Sequence, residues 1–296
     1  MQTEEVKVPA GYGAISVKVW GEKSDGLSSI IALHGWMDNG STFDPLIENL
    51  SEDWHVIAVD LPGHGFSSHY PLGVPYRNLS WIIDIRRIVK YFELDKIIFL
   101  GHSLGASLSL LYASIYTDQV EKIVSLDIIQ EATIDDQEVP RAMATSVNQF
   151  LEGEKRPTID RGFTYDQCVQ ILIEAHSNGK IDQKMAEFLL KRAVREKPDG
   201  YHFTRDARLT ILVNQKFSFD YLANLYSNMK CELLVLRGNQ GTADLNKPHV
   251  RKMLEIHKKR GNFTIKTIVG DHYFHLARPL DTARHVNEFL SNKTKN

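Results

Sequence analysis

The chain has 296 residues, 43% hydrophobic and 24% charged, with a formal net charge of −2, which suits one large α/β domain with an insertion or two modest domains and excludes a disordered chain. Near-neutral charge and a pI near 6.6 give no electrostatic pull toward nucleic acid or an anionic membrane. Its two cysteines, Cys168 and Cys231, are too few for a disulfide framework, lack a metal-ligand arrangement and read as reduced, structural thiols.

The first residues, Met1-Gln2-Thr3-Glu4-Glu5, are acidic and have no apolar core, so they do not read as a secretory signal. No run approaches the ~18 apolar residues of a membrane helix. The expected setting is a cytoplasmic or other intracellular soluble compartment, with no membrane span. Ile15 to Trp20 alternates like an antiparallel strand, whereas Ile30 to Leu33 and Val56 to Val59 are unbroken apolar runs, the pattern of parallel strands buried on both faces. Ile82, Ile85, Ile88, Val89 and Phe92 recur at helical spacing. Strands are expected next at Ile97 to Leu100 and Ile123 to Leu126. This alternation predicts an α/β fold: a mainly parallel sheet flanked by helices.

After Asp127 helical periodicity takes over for about a hundred residues. The spacing predicts helices over Arg141 to Leu151, Tyr165 to Ser177, Asp182 to Arg195 and Phe219 to Met229, with Asp182 as an N-cap and Pro198-Asp199-Gly200 as a break. Residues 131–229 are therefore expected to form a helical cap inserted into a core of residues 1–130 and 230–296. Leu233 to Leu236 restores buried-strand character. A helix is expected near Val250 to His257, then a strand at Phe263 to Val269 and a closing helix at Asp281 to Leu290 with Ala283, Val286 and Phe289 inward.

Between the strand at Ile97 and the helical pattern through Leu104, Leu108, Leu111 and Ala113 stands Gly101-His102-Ser103-Leu104-Gly105, a G-x-S-x-G sequence in strand-turn-helix context. That combination predicts a nucleophile elbow with the Ser103 hydroxyl held above the sheet edge, and the two glycines removing Cβ atoms that would clash. The positive end of the following helix favours developing negative charge. A serine hydroxyl needs a base, and His272 in Gly270-Asp271-His272 follows the last strand; His275 is the alternative. His34 and His64 lie in loops after strands and are expected to fix backbone turns through hydrogen bonds. The Trp36 amide, after His34-Gly35, and the Leu104 amide are candidates for an oxyanion hole. Two carboxylates compete to orient the imidazole. Asp127 ends the strand after the elbow, among apolar neighbours where an unpaired carboxylate is costly. Asp244 follows the strand Leu233 to Leu236, where loops commonly carry solvated aspartates.

The motifs His34-Gly35-Trp36-Met37-Asp38-Asn39, Asp60-Leu61-Pro62-Gly63-His64-Gly65-Phe66-Ser67-Ser68, the elbow at Ser103, and Gly270-Asp271-His272 with Arg278-Pro279 together resemble the α/β-hydrolase superfamily, and most closely its serine hydrolase-like proteins, over nearly the whole chain. The resemblance implies that the acid follows the strand at Leu233 to Leu236, often as Gly-x-x-Asp, or in a minority of members stands where Asp127 does. Here Gly238 is followed three residues later by Gly241, a departure that favours Asp127. Serine at position 103 disfavours dehalogenase and epoxide hydrolase activity, whose enzymes carry aspartate there. The implied function is a cofactor-independent, carboxylesterase-like serine hydrolase acting on a small-molecule acyl substrate. Thioesterase, lactonase or perhydrolase chemistry at the same site, or a hydrolase-fold receptor with little turnover, are the alternatives.

Overall fold

The computed structural model describes residues 2–24, 28–51, 54–155, 161–176, 181–211 and 217–292. In chain order its strands are β1 (Thr3–Ala10), β2 (Gly13–Trp20), β3 (Ser29–Leu33), β4 (Val56–Val59), β5 (Ile97–His102), β6 (Val120–Leu126), β7 (Val194–Lys197), β8 (Gly200–Phe203), β9 (Glu232–Gly238) and β10 (Phe263–Ile268). β7 and β8 pair as a separate hairpin; the other eight form one sheet in the order β1-β2-β4-β3-β5-β6-β9-β10. The β1–β2 and β2–β4 pairs are antiparallel and the rest are parallel.

Ile30, Ala32, Val56 and Ala58 enter one apolar core, while Ile31, Leu33, Ile57 and Val59 enter another. Burial on both faces is why these strands read as continuous apolar runs. The helices are α1 (Asp44–Ile47), α2 (Asn78–Tyr91), α3 (Leu104–Ile115), α4 (Val139–Glu154), α5 (Tyr165–Ala175), α6 (Gln183–Ala193), α7 (Phe219–Ser227), α8 (Pro248–Lys259), α9 (Phe274–Ala277) and α10 (Pro279–Ser291). α2, α3, α7 and α8 bury their apolar stripes in the first-strand-face core with Ile31, and α1 and α10 cover the opposite face. α10 turns Ala283, Val286 and Leu290 inward, with Phe289 only partly covered.

Three elements depart from the sequence reading. β1 has no anticipated counterpart: it is an edge strand that buries only Val8, so its charged residues hide the alternation. The helix expected through Arg195 ends at Ala193, and Pro198-Asp199 is a two-residue hairpin turn joining β7 to β8, not a simple break. Ser177, the expected end of the second helix of the insertion, lies outside the described residues; α5 itself stops at Ala175. Between β6 and β9, α5 and α6 pack on each other and on Tyr273 and Leu276, while Leu222 and Tyr226 of α7 join the main core beside α3.

α6 is fastened to the sheet end by charge. Arg192 Nε donates to both oxygens of buried Asp60 at 3.1 and 2.9 Å, and its Nη2 reaches Ser16 Oγ at 3.1 Å. Nη1 contacts Glu5. Asp60 also accepts from the Gly40 and Phe66 amides at 2.8 and 2.7 Å, so this buried pair has its hydrogen bonds satisfied. Asn39 Nδ2 adds a bond to Leu189 O at 2.9 Å. Among the described residues no helix is long and apolar enough to cross a membrane.

Candidate active site

Ser103 sits at the junction of β5 and α3 with φ 50° and ψ −114°, a backbone state that non-glycine residues rarely occupy. Its amide donates to Leu126 O at 3.2 Å and its carbonyl accepts from Ser107 N–H at 3.1 Å, so neighbouring elements hold the strained turn in place. The flanking glycines have ordinary negative φ; contact is what requires them. A Cβ on Gly105 would lie 1.9 Å from Leu33 O, and one on Gly101 would lie 2.6 Å from Ala106 N. Strand and helix therefore cross at backbone contact distance, and Ser103 projects at the crossing.

β6 and β9 are parallel neighbours with Leu126 opposite Leu236, so the residues that follow each strand emerge side by side. Asp127 N–H donates to Leu236 O at 2.7 Å, and the Asp127 side chain is fully buried. Its Oδ2 lies 2.7 Å from His272 Nδ1 and accepts from Thr242 N–H at 2.7 Å and Thr242 Oγ1 at 3.0 Å; its Oδ1 accepts from Gly238 N–H at 3.0 Å. An acceptor-only carboxylate in this position makes His272 Nδ1 the donor and leaves the Nε2 lone pair free. Asp244 is exposed, and its carboxylate caps the Asn246 amide at 2.9 Å. The structure thus brings Asp127 to His272 and leaves Asp244 on the surface.

Gly35 packs directly against the elbow: a Cβ there would stand 2.9 Å from His102 Nδ1 and 3.4 Å from Ser103 Cβ. Its φ is also ordinary, so closeness to Ser103 explains this glycine better than the turn does. The Trp36 amide that follows has no acceptor among the described residues. Leu104, as the first residue of α3, has none within the helix. His34 Nδ1–H donates to Gly35 O at 2.6 Å while its Nε2 accepts from Leu61 N–H at 3.0 Å, and His64 Nε2 accepts from Met37 N–H at 3.2 Å. These two imidazoles set the loop that carries Trp36.

Two contributors escape the sequence reading. His102 Nε2–H donates to the His272 carbonyl at 3.0 Å, tying the turn at Ser103 to the loop that carries His272, with the two rings 4.6 Å apart. Thr242 braces Asp127 through backbone and hydroxyl; its place beside Gly241, in the loop where family members commonly carry the acid, is the signal that points to it. His275 is buried and bonded through Nε2 to Thr42 Oγ1 at 2.9 Å, away from the carboxylate. Cys168 and Cys231 are both buried and unpaired, and burial pushes the Cys231 thiol up to about 11. Among the described residues no cluster of His, Cys, Asp or Glu is arranged to hold a metal ion.

Burial holds several of these imidazoles neutral. It pushes His34 down to about 4, His257 to about 4 and His275 to about 3, and takes His64 and His102 well below the ordinary histidine range. The unfolded chain takes up these protons near pH 6.5 and the fold does not, so stability present above that pH is lost as pH falls. At pH 5 His34, His257 and His275 each cost ~2 kcal/mol, or ~6 kcal/mol for the three, and His64 and His102 act in the same direction. Asp38 works in the other direction: burial raises its carboxyl to about 7, and between pH 7 and 5 it returns ~2 kcal/mol. The net ~4 kcal/mol from these four groups is a large share of the stability of an ordinary domain. We expect the urea midpoint to fall steeply between pH 7 and pH 5; an equal or higher midpoint at pH 5 refutes the neutral-histidine account.

The alpha/beta hydrolase fold family matches residues 29–170. A Drosophila melanogaster protein named "Probable serine hydrolase" is 31% identical, covering 97% of this chain and 87% of its own length. A serine hydrolase-like protein of Danio rerio is 29% identical, covering 97% and 88%. Among solved structures, a hypothetical protein of Pseudomonas aeruginosa PAO1 in selenomethionine form has a TM-score of 0.86 at 24% identity, covering 99% of this chain and 100% of that one, a likeness of fold. With a mainly parallel eight-stranded sheet, an elbow at Ser103 and relatives aligned over almost its full length, the chain belongs to the α/β-hydrolase superfamily and, within it, to the serine hydrolase-like proteins.

Proposed function

We propose that this chain is a carboxylesterase-like hydrolase that cleaves a carboxylic ester or related acyl bond through an acyl-enzyme intermediate. Ser103 is the nucleophile, His272 the base, Asp127 the orienting acid, and the Trp36 and Leu104 amides the oxyanion donors. The observation that carries this reading is the 2.7 Å Asp127–His272 bond, made at the same sheet end as a strained serine at the head of α3.

In the forward step Ser103 Oγ attacks the acyl carbon while His272 Nε2 takes the hydroxyl proton. The carbonyl oxygen becomes an oxyanion between the Trp36 and Leu104 N–H groups, aided by the positive end of α3. Asp127 keeps the His272 proton on Nδ1 and stabilises the imidazolium. Collapse of the intermediate breaks the bond to the leaving alcohol, which receives the proton from His272 Nε2. Water then attacks the acyl-serine ester with His272 as base; the Ser103 bond breaks, the proton returns to Oγ, and the acid leaves. The inserted helices act as a cap in this reading. α5 and α6 pack on Tyr273 beside His272, and Trp36 Nε1–H donates to Leu209 O at 3.0 Å, so cap residues border both sides of the serine.

Treatment with a fluorophosphonate probe, read by intact mass, tests this assignment. One adduct is expected on the parent chain and none on Ser103→Ala. An unlabelled parent, or equal labelling of both, overturns it.

A further inference from the structure

His102 closes β5, immediately before Ser103, and is wholly buried. Its Nε2 lies 3.0 Å from the His272 carbonyl oxygen. A carbonyl oxygen only accepts, so Nε2 carries the proton and donates it. Among the described residues this is the only hydrogen bond to the His272 carbonyl. Nδ1 is then a bare acceptor, buried without a partner. Burial and the neighbouring imidazoles of His275 and His272 hold the ring neutral, so its single proton is committed to that one bond. An orphaned buried acceptor lowers stability, and an apolar side chain of similar size would not. What the imidazole supplies in return is the bond to residue 272.

The surroundings of the ring explain what that bond does. Gly35 packs against it: a Cβ there would come 2.9 Å from His102 Nδ1 and 3.2 Å from Cε1. The rings of His272, His275 and Tyr273 stand 4.6, 4.2 and 5.3 Å away. The imidazole therefore meets both the loop that carries Trp36 and the loop that carries His272. His272 in turn is held at two points, its side chain by Asp127 at 2.7 Å and its main chain by His102 at 3.0 Å. The Asp127 bond sets which way the His272 ring faces. His102 is joined to Ser103 by one planar peptide, and the Ser103 amide is itself fixed to Leu126 O at 3.2 Å. The path from the serine to residue 272 is short and stiff.

We propose that His102 is a positioning residue for hydrolysis: through the His272 carbonyl it fixes the distance at which the base meets Ser103 Oγ. This rests on Ser103 and His272 being nucleophile and base. Proton transfer needs Nε2 and Oγ within hydrogen-bond reach as the acyl carbon is attacked, and a displacement of ~1 Å costs up to about a hundredfold in rate. Substrate binding does not use that contact, so the loss falls on kcat and leaves KM in place.

His102→Gln carries its amide donor about as far from the backbone as Nε2, His102→Asn stops near the place of Nδ1, and His102→Leu fills the space with no donor. On p-nitrophenyl acetate the Asn and Leu variants are expected to lose about ten- to a hundredfold in kcat with KM changed by less than about twofold, and the Gln variant to recover most of that loss. Fluorophosphonate labelling followed in time by intact mass is the second measurement. The Asn and Leu variants should reach one adduct per chain, as the parent does, but more slowly in proportion to kcat. A side chain needed only for folding would lower the fraction labelled and leave the rate of the folded fraction unchanged. Parent-like rates in the Asn variant, a rise in KM in place of the fall in kcat, or a Gln variant as slow as the Asn variant overturns the assignment. The contrast of Gln with Asn decides the matter if the Leu variant does not fold. An unlabelled parent overturns Ser103 as nucleophile and this proposal with it, whereas a labelled parent and an equally fast Asn variant overturn the role of His102 alone.

Discussion

Asp127→Gly is expected to lower kcat/KM about ten-thousand-fold. Glycine is the informative replacement because residue 127 has φ 62°, which glycine adopts without strain, so the loss reports on the carboxylate alone. Without it His272 Nδ1 loses its acceptor, the ring is free to turn or to carry its proton on Nε2, and the imidazolium formed during attack has no counter-charge. The Gly238 and Thr242 amides also lose their acceptor, which costs ~2 kcal/mol of stability. A kcat/KM within tenfold of the parent excludes Asp127 as the acid.

The same site explains a residue that the sequence left puzzling. Gly241 stands where relatives of this fold commonly carry the acid, and its φ is not in the glycine-only region. A Cβ there would lie 2.1 Å from Asp127 Oδ1 and 2.5 Å from Oδ2. The space is filled from the neighbouring strand, so Gly241 and Asp127 exclude each other's side chains. Gly241→Asp alone is expected to abolish activity by crowding two carboxylates together. Combined with Asp127→Gly it should recover at least tenfold over the single Asp127→Gly variant, measured as kcat/KM on one ester; no recovery refutes the exchange.

This geometry also shows why spacing along the chain left two aspartates in competition, and why glycine at position 241 favoured Asp127. Parallel pairing sets Leu126 against Leu236, so aspartates after either strand start from adjacent points, and spacing along the chain does not distinguish them. The elbow was legible because its constraints are local: an apolar strand, two glycines at contact distance from Leu33 and Ala106, and a helix that begins at once. His34 and His64 were legible for the same reason, each bonding within its own loop or to the next. His102 was not, because its bond to the His272 carbonyl spans 170 residues. The β7–β8 hairpin escaped because Val194 to Lys197 continues the helical spacing of α6 for a turn before Pro198 and Asp199 reverse the chain.

Replacing Ser103 separates chemistry from strain. Ser103→Ala and Ser103→Gly should each reduce turnover about a million-fold, since neither supplies a nucleophile. Their stabilities should differ. At φ 50° and ψ −114° any side chain with a Cβ carries a backbone cost of ~1–3 kcal/mol, which serine and alanine share. Glycine escapes most of it but loses ~0.5–1 kcal/mol through the greater freedom of its unfolded chain. Ser103→Gly is therefore expected to be about 1 kcal/mol more stable than the parent, with Ser103→Ala close to the parent, in urea unfolding at neutral pH. A glycine variant less stable than alanine would mean that the Leu126 and Ser107 backbone bonds impose no strain on the serine. A stabilised, inactive glycine variant would mean that the fold gives up stability at this one residue in order to hold a hydroxyl at the head of α3.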